Sequence, residues 1–239
     1  MFSSPRPPTS IDRIMQLIRE SLPLLLRGAQ TTMILVSVCL GLGLILGVPL
    51  ALSYLYGPRW SRPLLVAYDR VFRGFPALVL LFLFYFGVGS FPGVHLSPLM
   101  TVFLALGLRS AAYQSQIYRG SLLAVSNGQV EAARSLGLSG RQTIWSIVIP
   151  QAAYFSLPGL SNEYSILLKD TALAFAVGVM ELLTEGKFIA LRTQAILPIY
   201  LTVGAIYLML TYGGVLVFWV MEHAIRIPGL SGYSKGRME

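Results

Sequence analysis

Two long stretches without a charged side chain most constrain how this chain can fold. Residues 28–58 contain no Asp, Glu, Lys or Arg, and neither does the stretch from Thr193 to Met221. About 20 consecutive apolar residues suffice for a helix to cross the hydrocarbon core of a bilayer, so each stretch predicts a membrane span. Only 12% of all residues are charged, against about 25% in a typical soluble domain. The sequence therefore predicts an all-α integral membrane protein.

Three further spans are predicted between these two, which gives about five in all. They cover residues 64–89, 97–118 and 152–180. Charges in the first part of the 64–89 span place its lipid-facing core nearer 74–89. The 152–180 span is too long for one straight helix, and we expect it to be bent or broken at Pro158-Gly159 or around Lys169-Asp170. The segment from Glu181 to Arg192 holds two acids and two bases and is predicted to be a loop.

The spans and the distribution of charge predict three regions and an orientation. Residues 1–27 are predicted to be a tail followed by an amphipathic interfacial helix, residues 28–225 the transmembrane domain, and residues 226–239 a basic tail. The net charge is +8, and an excess of Lys and Arg in a membrane protein usually marks cytoplasmic loops rather than nucleic-acid binding. Because an odd number of spans places the termini on opposite sides, we expect a cytoplasmic C-terminus and an external N-terminus in the cytoplasmic membrane.

Residues 126–150 are the polar exception in this apolar chain, and we call them the EAA hairpin. Ser126 and Ser139 are each followed three residues later by Gln, which is the spacing of a capping box. Gly137 stands where a left-handed residue would end a helix, and Pro150 limits a second helix. We predict helices at about 127–136 and 140–149, with a tight turn at Gly137–Leu138. On shape alone, a solvated hairpin between two spans explains the pattern equally well.

Several motifs together resemble the permease subunits of ATP-binding cassette (ABC) importers, in their polar amino-acid branch. The EAA hairpin reproduces that family's E-A-A, three residues, G, nine residues, I-x-L-P pattern, with Ile149 in place of Leu. Four other segments also resemble family motifs, and the likeness extends over roughly residues 28–225. They are Arg73-Gly74-Phe75-Pro76, Ala111-Ala112-Tyr113 through Arg119-Gly120, Asn162-Glu163-Tyr164 and Leu168-Lys169-Asp170-Thr171. Gln116 departs from the family, which often has Glu there, so a role that needs a charge at this position is in doubt.

The resemblance implies that the EAA hairpin is a coupling helix docked into a groove of a cytoplasmic ATPase dimer. The residues implied in coupling are Glu131, Ala132, Ala133, Arg134 and Gly137. Ala132 and Ala133 are small enough for close approach of another protein, and Glu131 and Arg134 lie three apart on one helix face. The chain has no G-x-x-x-x-G-K-[ST] motif, so ATP and Mg are expected on the partner ATPase, and we expect no enzyme activity and no bound cofactor in this chain.

The remaining partners implied by the resemblance are an extracytoplasmic substrate-binding protein, a second permease, membrane lipid and a polar amino-acid substrate. The second permease could be an identical copy or a similar sister chain. We expect no nucleic-acid partner. Two histidines, His95 and His223, without a supporting cluster give no metal site.

Ionisable residues at membrane depth are costly and usually line a cavity or meet a partner. Arg109 could bind a substrate carboxylate in bidentate fashion. It could instead lie nearer the cytoplasmic interface, where it would snorkel to head-groups or pair with Glu163 or Asp170. Asn162, Glu163, Lys169 and Asp170 are candidates for the substrate path, because a broken helix exposes polar groups at mid-membrane. An internal Lys–Asp or Lys–Glu pair explains them as well. Arg109 would read only the carboxylate that all amino acids share, so the sequence does not select among side chains.

Two other function classes explain the sequence less well than the importer does. An ion-coupled secondary carrier or channel would need no ATPase, but it also has no evident need for the EAA hairpin. An intramembrane enzyme is disfavoured, because the sequence holds neither H-E-x-x-H nor G-x-S-x-G and Cys39 has no nearby histidine. We predict Cys39, the only cysteine, to be a small buried apolar residue.

Overall fold

The computed structural model describes residues 10–225, and within that range the chain is helical and contains no strand. The α-helices are α1 Ser10–Tyr56, α2 Arg62–Gly74, α3 Ala77–Phe82, α4 Pro98–Leu123, α5 Asn127–Ser135, α6 Gly140–Thr143, α7 Ile149–Asp170, α8 Leu182–Thr193 and α9 Ile196–Ala224. The predicted all-α class is confirmed. The expectations for residues 1–9 and for the basic tail at 226–239 lie outside the described residues.

Helix α1 joins the predicted interfacial helix and the first predicted span in one element of 47 residues. At 1.5 Å per residue it is about 70 Å long. No break separates residues 10–27 from the rest of the helix, so the predicted interfacial segment and the first span form one continuous element, and its position at the membrane interface stays a prediction. The physical reason is packing: Leu25 and Ala29 are buried against α8 and α9, which holds this segment in line with the span that follows.

The second predicted span is a bent pair of helices rather than one straight helix. Residues 59–74 and 77–90 meet at 107°, with the break at Phe75 and Pro76. Proline has no N–H to donate and disfavours the helical conformation in the residue before it, and Phe75 is accordingly extended, at φ −82° and ψ 141°. After the break, α3 continues as a π-helix, Leu83–Gly87, and a short 3-10 helix, Val88–Ser90. The second arm covers most of residues 74–89, the stretch predicted to be the lipid-facing core, and its contact with lipid stays a prediction.

Among the described helices, α1 and α9 are each long and apolar enough to cross a membrane, and the bent pair would make a third span. Helices α4 and α7 have 26 and 22 residues, which exceeds the roughly 20 residues that a span requires. They correspond to the predicted spans at 97–118 and 152–180 and are more polar than α1 and α9. Helix α7 runs unbroken through Pro158 and ends at Asp170, where a 3-10 helix, Thr171–Val177, begins. The second of the two predicted break positions is therefore the observed one.

Helix α8 occupies the segment that was predicted to be a loop, so that prediction was wrong. Glu181 precedes the helix, is fully buried, and accepts hydrogen bonds from the backbone N–H groups of Leu183 and Thr184 at 2.8 and 2.7 Å. The Tyr207 hydroxyl of α9 donates to the same carboxylate at 2.7 Å. A carboxylate at a helix N-terminus satisfies N–H groups that the helix leaves unpaired. The charge that suggested a loop therefore starts a helix and ties it to α9.

The main core lies where α1, α3, α4 and α7 meet. Its fully buried leucines include Leu35, Leu81, Leu106, Leu167 and Leu168. Cys39 is fully buried in the same cluster, as predicted. Helix α1 packs closely against α4 at Gly43, where an added Cβ would lie 2.0 Å from Gln114 Nε2. Gly41 is an exception, since a Cβ there would have nothing within 4 Å.

Candidate coupling hairpin and intramembrane charge cluster

The turn of the EAA hairpin depends on Gly137. This residue has φ +84°, in the left-handed region. The N–H of Leu138 donates to the carbonyl of Ala133 at 3.1 Å, and the N–H of Gly137 donates to the carbonyl of Arg134 at 2.9 Å. These are the two hydrogen bonds of a Schellman motif. The predicted tight turn is confirmed, and its geometry fixes how α5 leads into α6.

The two predicted capping boxes have different outcomes. At Ser139 the box is complete, because its hydroxyl accepts from the N–H of Gln142 at 3.3 Å while the Gln142 side chain accepts from the N–H of Ser139 at 2.9 Å. Ser126 stands at the N-cap of α5, but its side chain accepts no cap hydrogen bond. The first box was therefore a wrong prediction, although the helix begins where it was expected.

Pro150 does not end the second helix of the hairpin, in contrast to the prediction. After α6 the chain forms a π-helix, Ile144–Val148, and then enters α7 without leaving a helical path. Pro150 lies in the first turn of α7, where a missing N–H costs little because the first turn has no partner for it. The π-helix accommodates the change in the backbone hydrogen-bond pattern between α6 and α7. The hairpin is thus connected to the intramembrane helix α7 by continuous helix.

The predicted coupling residues divide into an outward group and an inward one. Glu131, Ala132, Arg134 and Gly137 are exposed. Ala133 is only 4% exposed, beside a small apolar cluster that holds α5 against the ends of α4 and α7. That cluster consists of Val125, Val148 and Ala152, with Leu122, Val130 and Phe155 packed on it. Another protein can therefore contact Ala132 but not Ala133, which is buried within this chain.

Arg109 and Asp170 form an ion pair between α4 and α7. Arg109 Nη1 lies 2.5 Å from Asp170 Oδ2, and the two side chains are 12% and 21% exposed. Between the two internal partners that the sequence offered for Arg109, the structure selects Asp170. This pair joins the end of α7, where the helix breaks, to the middle of α4.

Glu163 lies beside this pair and is 2% exposed. Its neighbours include Ser110, Arg109, Asp170 and Arg73. Within residues 10–225, two buried side-chain atoms have no hydrogen-bond partner, and they are Glu163 Oε1 and Arg109 Nε. Unpaired buried polar atoms are costly, and in a native structure each needs an explanation. The cluster therefore retains one acceptor and one donor that the chain itself does not satisfy.

The other two predicted substrate-path residues are placed differently. Asn162 and Lys169 are both exposed, whereas Glu163 and Asp170, their neighbours in sequence, turn toward α4. On a helix, adjacent residues point about 100° apart. The structure thus brings together Arg109, Glu163 and Asp170 and leaves Asn162 and Lys169 outside their contact.

Sequence reasoning missed Tyr113 as a member of the cluster. The guanidinium of Arg109 lies 4.8 Å from the centre of the Tyr113 ring, and that of Arg73 lies 5.0 Å from it. Arg73 also pairs with Asp69 at 3.2 Å. Cation–π contacts of this kind are favourable when both groups are shielded from water. The spacing of four between Arg109 and Tyr113 was the available signal, since such residues share a helix face.

Comparison with known proteins identifies what this arrangement is similar to. Residues 40–226 match the family described as "Binding-protein-dependent transport system inner membrane component". The nopaline transport system permease protein NocM of Agrobacterium fabrum is 37% identical over 206 residues, covering 82% of this chain and 86% of the relative. The L-cystine transport system permease protein TcyL of Bacillus subtilis is 32% identical over 199 residues, covering 81% and 83%.

Solved structures give the same result for the fold. The crystal structure of an amino acid ABC transporter with histidines superposes with a TM-score of 0.80 at 29% identity, covering 88% of this chain and 98% of the other. The MetNI methionine ABC transporter in inward-facing conformations gives a TM-score of 0.72 at 19% identity, which is a likeness of fold alone.

Proposed function

This chain belongs to the family of binding-protein-dependent transport system inner membrane components, and from that premise we propose that it translocates a polar amino acid. It is the membrane-spanning permease subunit of an ABC importer and is not itself an enzyme, because the ATPase of this family is a separate subunit. The relatives that carry the substrate proposal are named for nopaline and L-cystine transport, and a structural relative is an amino acid transporter.

The EAA hairpin is the proposed contact with the ATPase. Its outward residues Glu131, Ala132 and Arg134 would enter a groove of the ATPase, and Gly137 would set the angle of the hairpin. Because α6 leads into α7 through continuous helix, a push on α5 would reach the charged end of α7 at Asp170. Closure of two ATPase subunits on ATP would thereby move the spans and open the translocation cavity to the other side.

The intramembrane charge cluster is the proposed contact with the substrate. Arg109 Nε and Glu163 Oε1 are a donor and an acceptor without partners in the described chain. An α-amino acid carries a carboxylate that accepts and an ammonium that donates, so the zwitterion complements both atoms. Asp170 would hold Arg109 in place through their ion pair. Asn162 and Lys169 would contribute only if the helices rearrange, because both face away from the cluster here.

The assembly that we propose needs two permeases, since one chain with about five spans encloses little. The exposed apolar face of α9 is available for lipid or for the second permease. Of its 29 residues, only Ile199, Val203 and Ile206 are buried apolar ones. We further propose that the hairpin and the C-terminus lie in the cytoplasm and the N-terminus outside, with the substrate-binding protein docking at the end opposite the hairpin.

The first test is a pull-down of the tagged full-length chain from its own membranes in mild detergent, with mass spectrometry of the co-purifying proteins. We expect a P-loop ATPase at stoichiometric amounts together with a second permease chain, either this one or a sister. Recovery of the chain alone, from membranes shown to contain such ATPases, would contradict the proposed assembly.

The second test uses the recovered complex in proteoliposomes with its binding protein and a panel of labelled cationic, acidic and amide amino acids. We expect ATP-driven uptake of at least one of them, and its loss in Arg109→Gln. The matched control is Arg119→Gln, on the same helix, where the guanidinium lies 4.4 Å from the centre of the Tyr54 ring and away from the cluster. Equal loss in both variants would argue against a substrate contact at Arg109.

A further inference from the structure

A row of polar side chains runs along the face of α4 that packs on α1, and it leads to Glu163 of α7. Its members are Ser110, Gln114 and Tyr118, and we call them the α4 polar row. They are spaced four residues apart and therefore share a helix face. Ser110 is 0% exposed and Gln114 is 1% exposed. Burying such groups between helices is costly unless they are hydrogen-bonded, so their bonds need to be traced.

The side-chain amide of Gln114 is held in one orientation by three hydrogen bonds. Its Nε2 donates to the carbonyl of Leu40 on α1 at 3.1 Å and to the hydroxyl of Ser110 at 3.1 Å. Its Oε1 accepts from the hydroxyl of Tyr118 at 2.7 Å. A backbone carbonyl only accepts, so turning the amide over would lose the bond to Leu40. Gln114 therefore presents a donor to Ser110.

The hydroxyl of Ser110 is directed by this bond. Its oxygen accepts from Gln114, which leaves its hydrogen for another partner, and Ser110 is a hydrogen-bonding neighbour of the Glu163 carboxylate. Ser115 and Ser121 on the same helix donate instead to carbonyls three and four residues earlier, at 2.8 and 2.9 Å. Such local bonds compete for a serine hydroxyl in any helix. The amide of Gln114 thus favours the long-range partner over the local one.

Helix α1 leaves the space that this arrangement needs. A Cβ added to Gly43 would overlap the amide of Gln114 and lie 2.9 Å from Ser110 Oγ. A Cβ added to Gly47, one turn further along, would lie 3.1 Å from Gln114 Cβ. The contact between α1 and α4 is therefore built around a side-chain amide at a point where apolar side chains would need no hydrogen-bond partner.

Glu163 joins the α4 polar row to the intramembrane charge cluster. Its Oε1 has no hydrogen-bond partner among residues 10–225, so the bond from Ser110 falls on the other oxygen. We propose that Ser110 and Gln114 are positioning residues, which hold one oxygen of Glu163 so that Oε1 stays directed toward the substrate. The role of Oε1 toward an ammonium group rests on the proposed function, whereas the positioning of the carboxylate can be tested without it.

The first measurement is the infrared absorption of the Glu163 carboxyl group, in the purified full-length chain in detergent. The band is assigned from the difference between the spectra of the native chain and of Glu163→Gln. The stretching frequency of a carboxyl group depends on the hydrogen bonds that it accepts, so the band reports on the donor at Ser110. The measurement needs no ATPase, no binding protein and no substrate.

We expect Ser110→Ala to shift this band, because the variant removes the donor. Gln114→Leu should shift it in the same direction by a smaller amount, since the hydroxyl remains but can turn toward the carbonyls of its own helix. Adding Gln114→Leu to Ser110→Ala should cause no further shift. The amide acts only through the hydroxyl, and two such changes are not additive.

Two further variants keep this measurement decisive. Gly43→Ala displaces the flexible end of Gln114 from the neighbouring helix and removes no polar group, so it should reproduce the shift even where Gln114→Leu does not fold. The matched control is Gln116→Leu, which removes a half-buried amide two positions along α4. Side chains two positions apart on a helix point about 200° apart, so this variant should leave the band unchanged.

The second measurement is equilibrium binding of labelled L-arginine, L-glutamate and L-glutamine to the purified importer without its binding protein. All three probes carry the α-ammonium group that would donate to Glu163 Oε1. Because hydrogen bonds to charged groups are strong, Ser110→Ala should raise the Kd of any probe that binds about tenfold, and Gln114→Leu about threefold.

Two infrared results would overturn the positioning role. One is an unshifted band in both Gln114→Leu and Gly43→Ala, which would leave the amide with a structural role that thermal unfolding alone would register. The other is a further shift when Gln114→Leu is added to Ser110→Ala, since the amide would then act by another route. A shifted band with unchanged affinity would uphold the positioning and contradict the proposed contact of Glu163 with the substrate, so the two failures are distinguishable.

Discussion

Replacing Gly137 should uncouple transport from ATP hydrolysis by an amount that follows the backbone cost of the new residue. Gly137 has φ +84°, and a Cβ placed there would have nothing within 4 Å. A substitution therefore causes no clash, and its whole effect is the cost of holding an L residue in the left-handed region. That cost is about 1 kcal/mol for Ala and about 2 kcal/mol for β-branched Val. Asn, which tolerates this conformation better, should cost less than either.

These costs convert directly into populations of the hairpin geometry. A free-energy difference of 1.4 kcal/mol is about tenfold in an equilibrium constant, so Ala should lower the population of the native turn about fivefold relative to alternatives, and Val about thirtyfold. The assay is the number of substrate molecules imported per ATP hydrolysed, in proteoliposomes that hold the complete importer. We expect the ratio to fall in the order Gly, Asn, Ala, Val, while the amount of chain in the membrane stays constant.

The matched control is Gly140→Ala, three residues away in α6. Gly140 has no positive φ, and its Cβ would also meet nothing within 4 Å, so Ala should leave coupling unchanged and can even stabilise the helix. A Val variant at Gly137 with a native coupling ratio would refute the role of the turn. Equal loss in the Gly140 control would show that the hairpin tolerates no change at all, and the conformational reasoning would fail.

Three further predictions concern the stability of the bundle. Gly28→Ala should lower the free energy of unfolding by about 1–3 kcal/mol through overpacking, since its Cβ would lie 2.8 Å from a backbone atom of α8. Gly41→Ala on the same helix would place a Cβ with nothing within 4 Å, so it should leave the free energy of unfolding unchanged. Thermal unfolding in detergent compares the two variants. Asp170→Asn should cost about 3 kcal/mol by leaving Arg109 buried without its carboxylate, and adding Arg109→Gln should cost less than the sum of the two, which a double-mutant cycle measures. Tyr207→Phe removes a donor to the buried carboxylate that caps α8 and should cost about 2 kcal/mol, while uptake by the folded fraction stays native.

The EAA hairpin could be predicted from sequence because its signals are local. The turn needs a residue that tolerates positive φ, and Gly137 is that residue. The capping box at Ser139 needs only Gln142 three positions on, and both hydrogen bonds form. The prediction failed at Pro150 because the same proline that ends one helix can begin another, and only the path of α7 into the core decides between these.

The charged positions show why the remainder could not be predicted. Glu181, Glu163 and Asp170 look alike in the sequence, as single acids near apolar stretches, yet each has a different fate. Glu181 is satisfied by the first N–H groups of α8 and a hydroxyl of α9, Asp170 by Arg109 of α4, and Glu163 only in part. The partner of Glu181 on α9 is 26 residues away in sequence and the partner of Asp170 on α4 is 61 residues away, and no local pattern specifies contacts at such separations. Burying a polar atom without a hydrogen-bond partner is costly, so a molecule that donates to Glu163 would gain more binding free energy than one that meets Glu181 or Asp170. This difference among the three acids is visible only when their environments in the fold are compared.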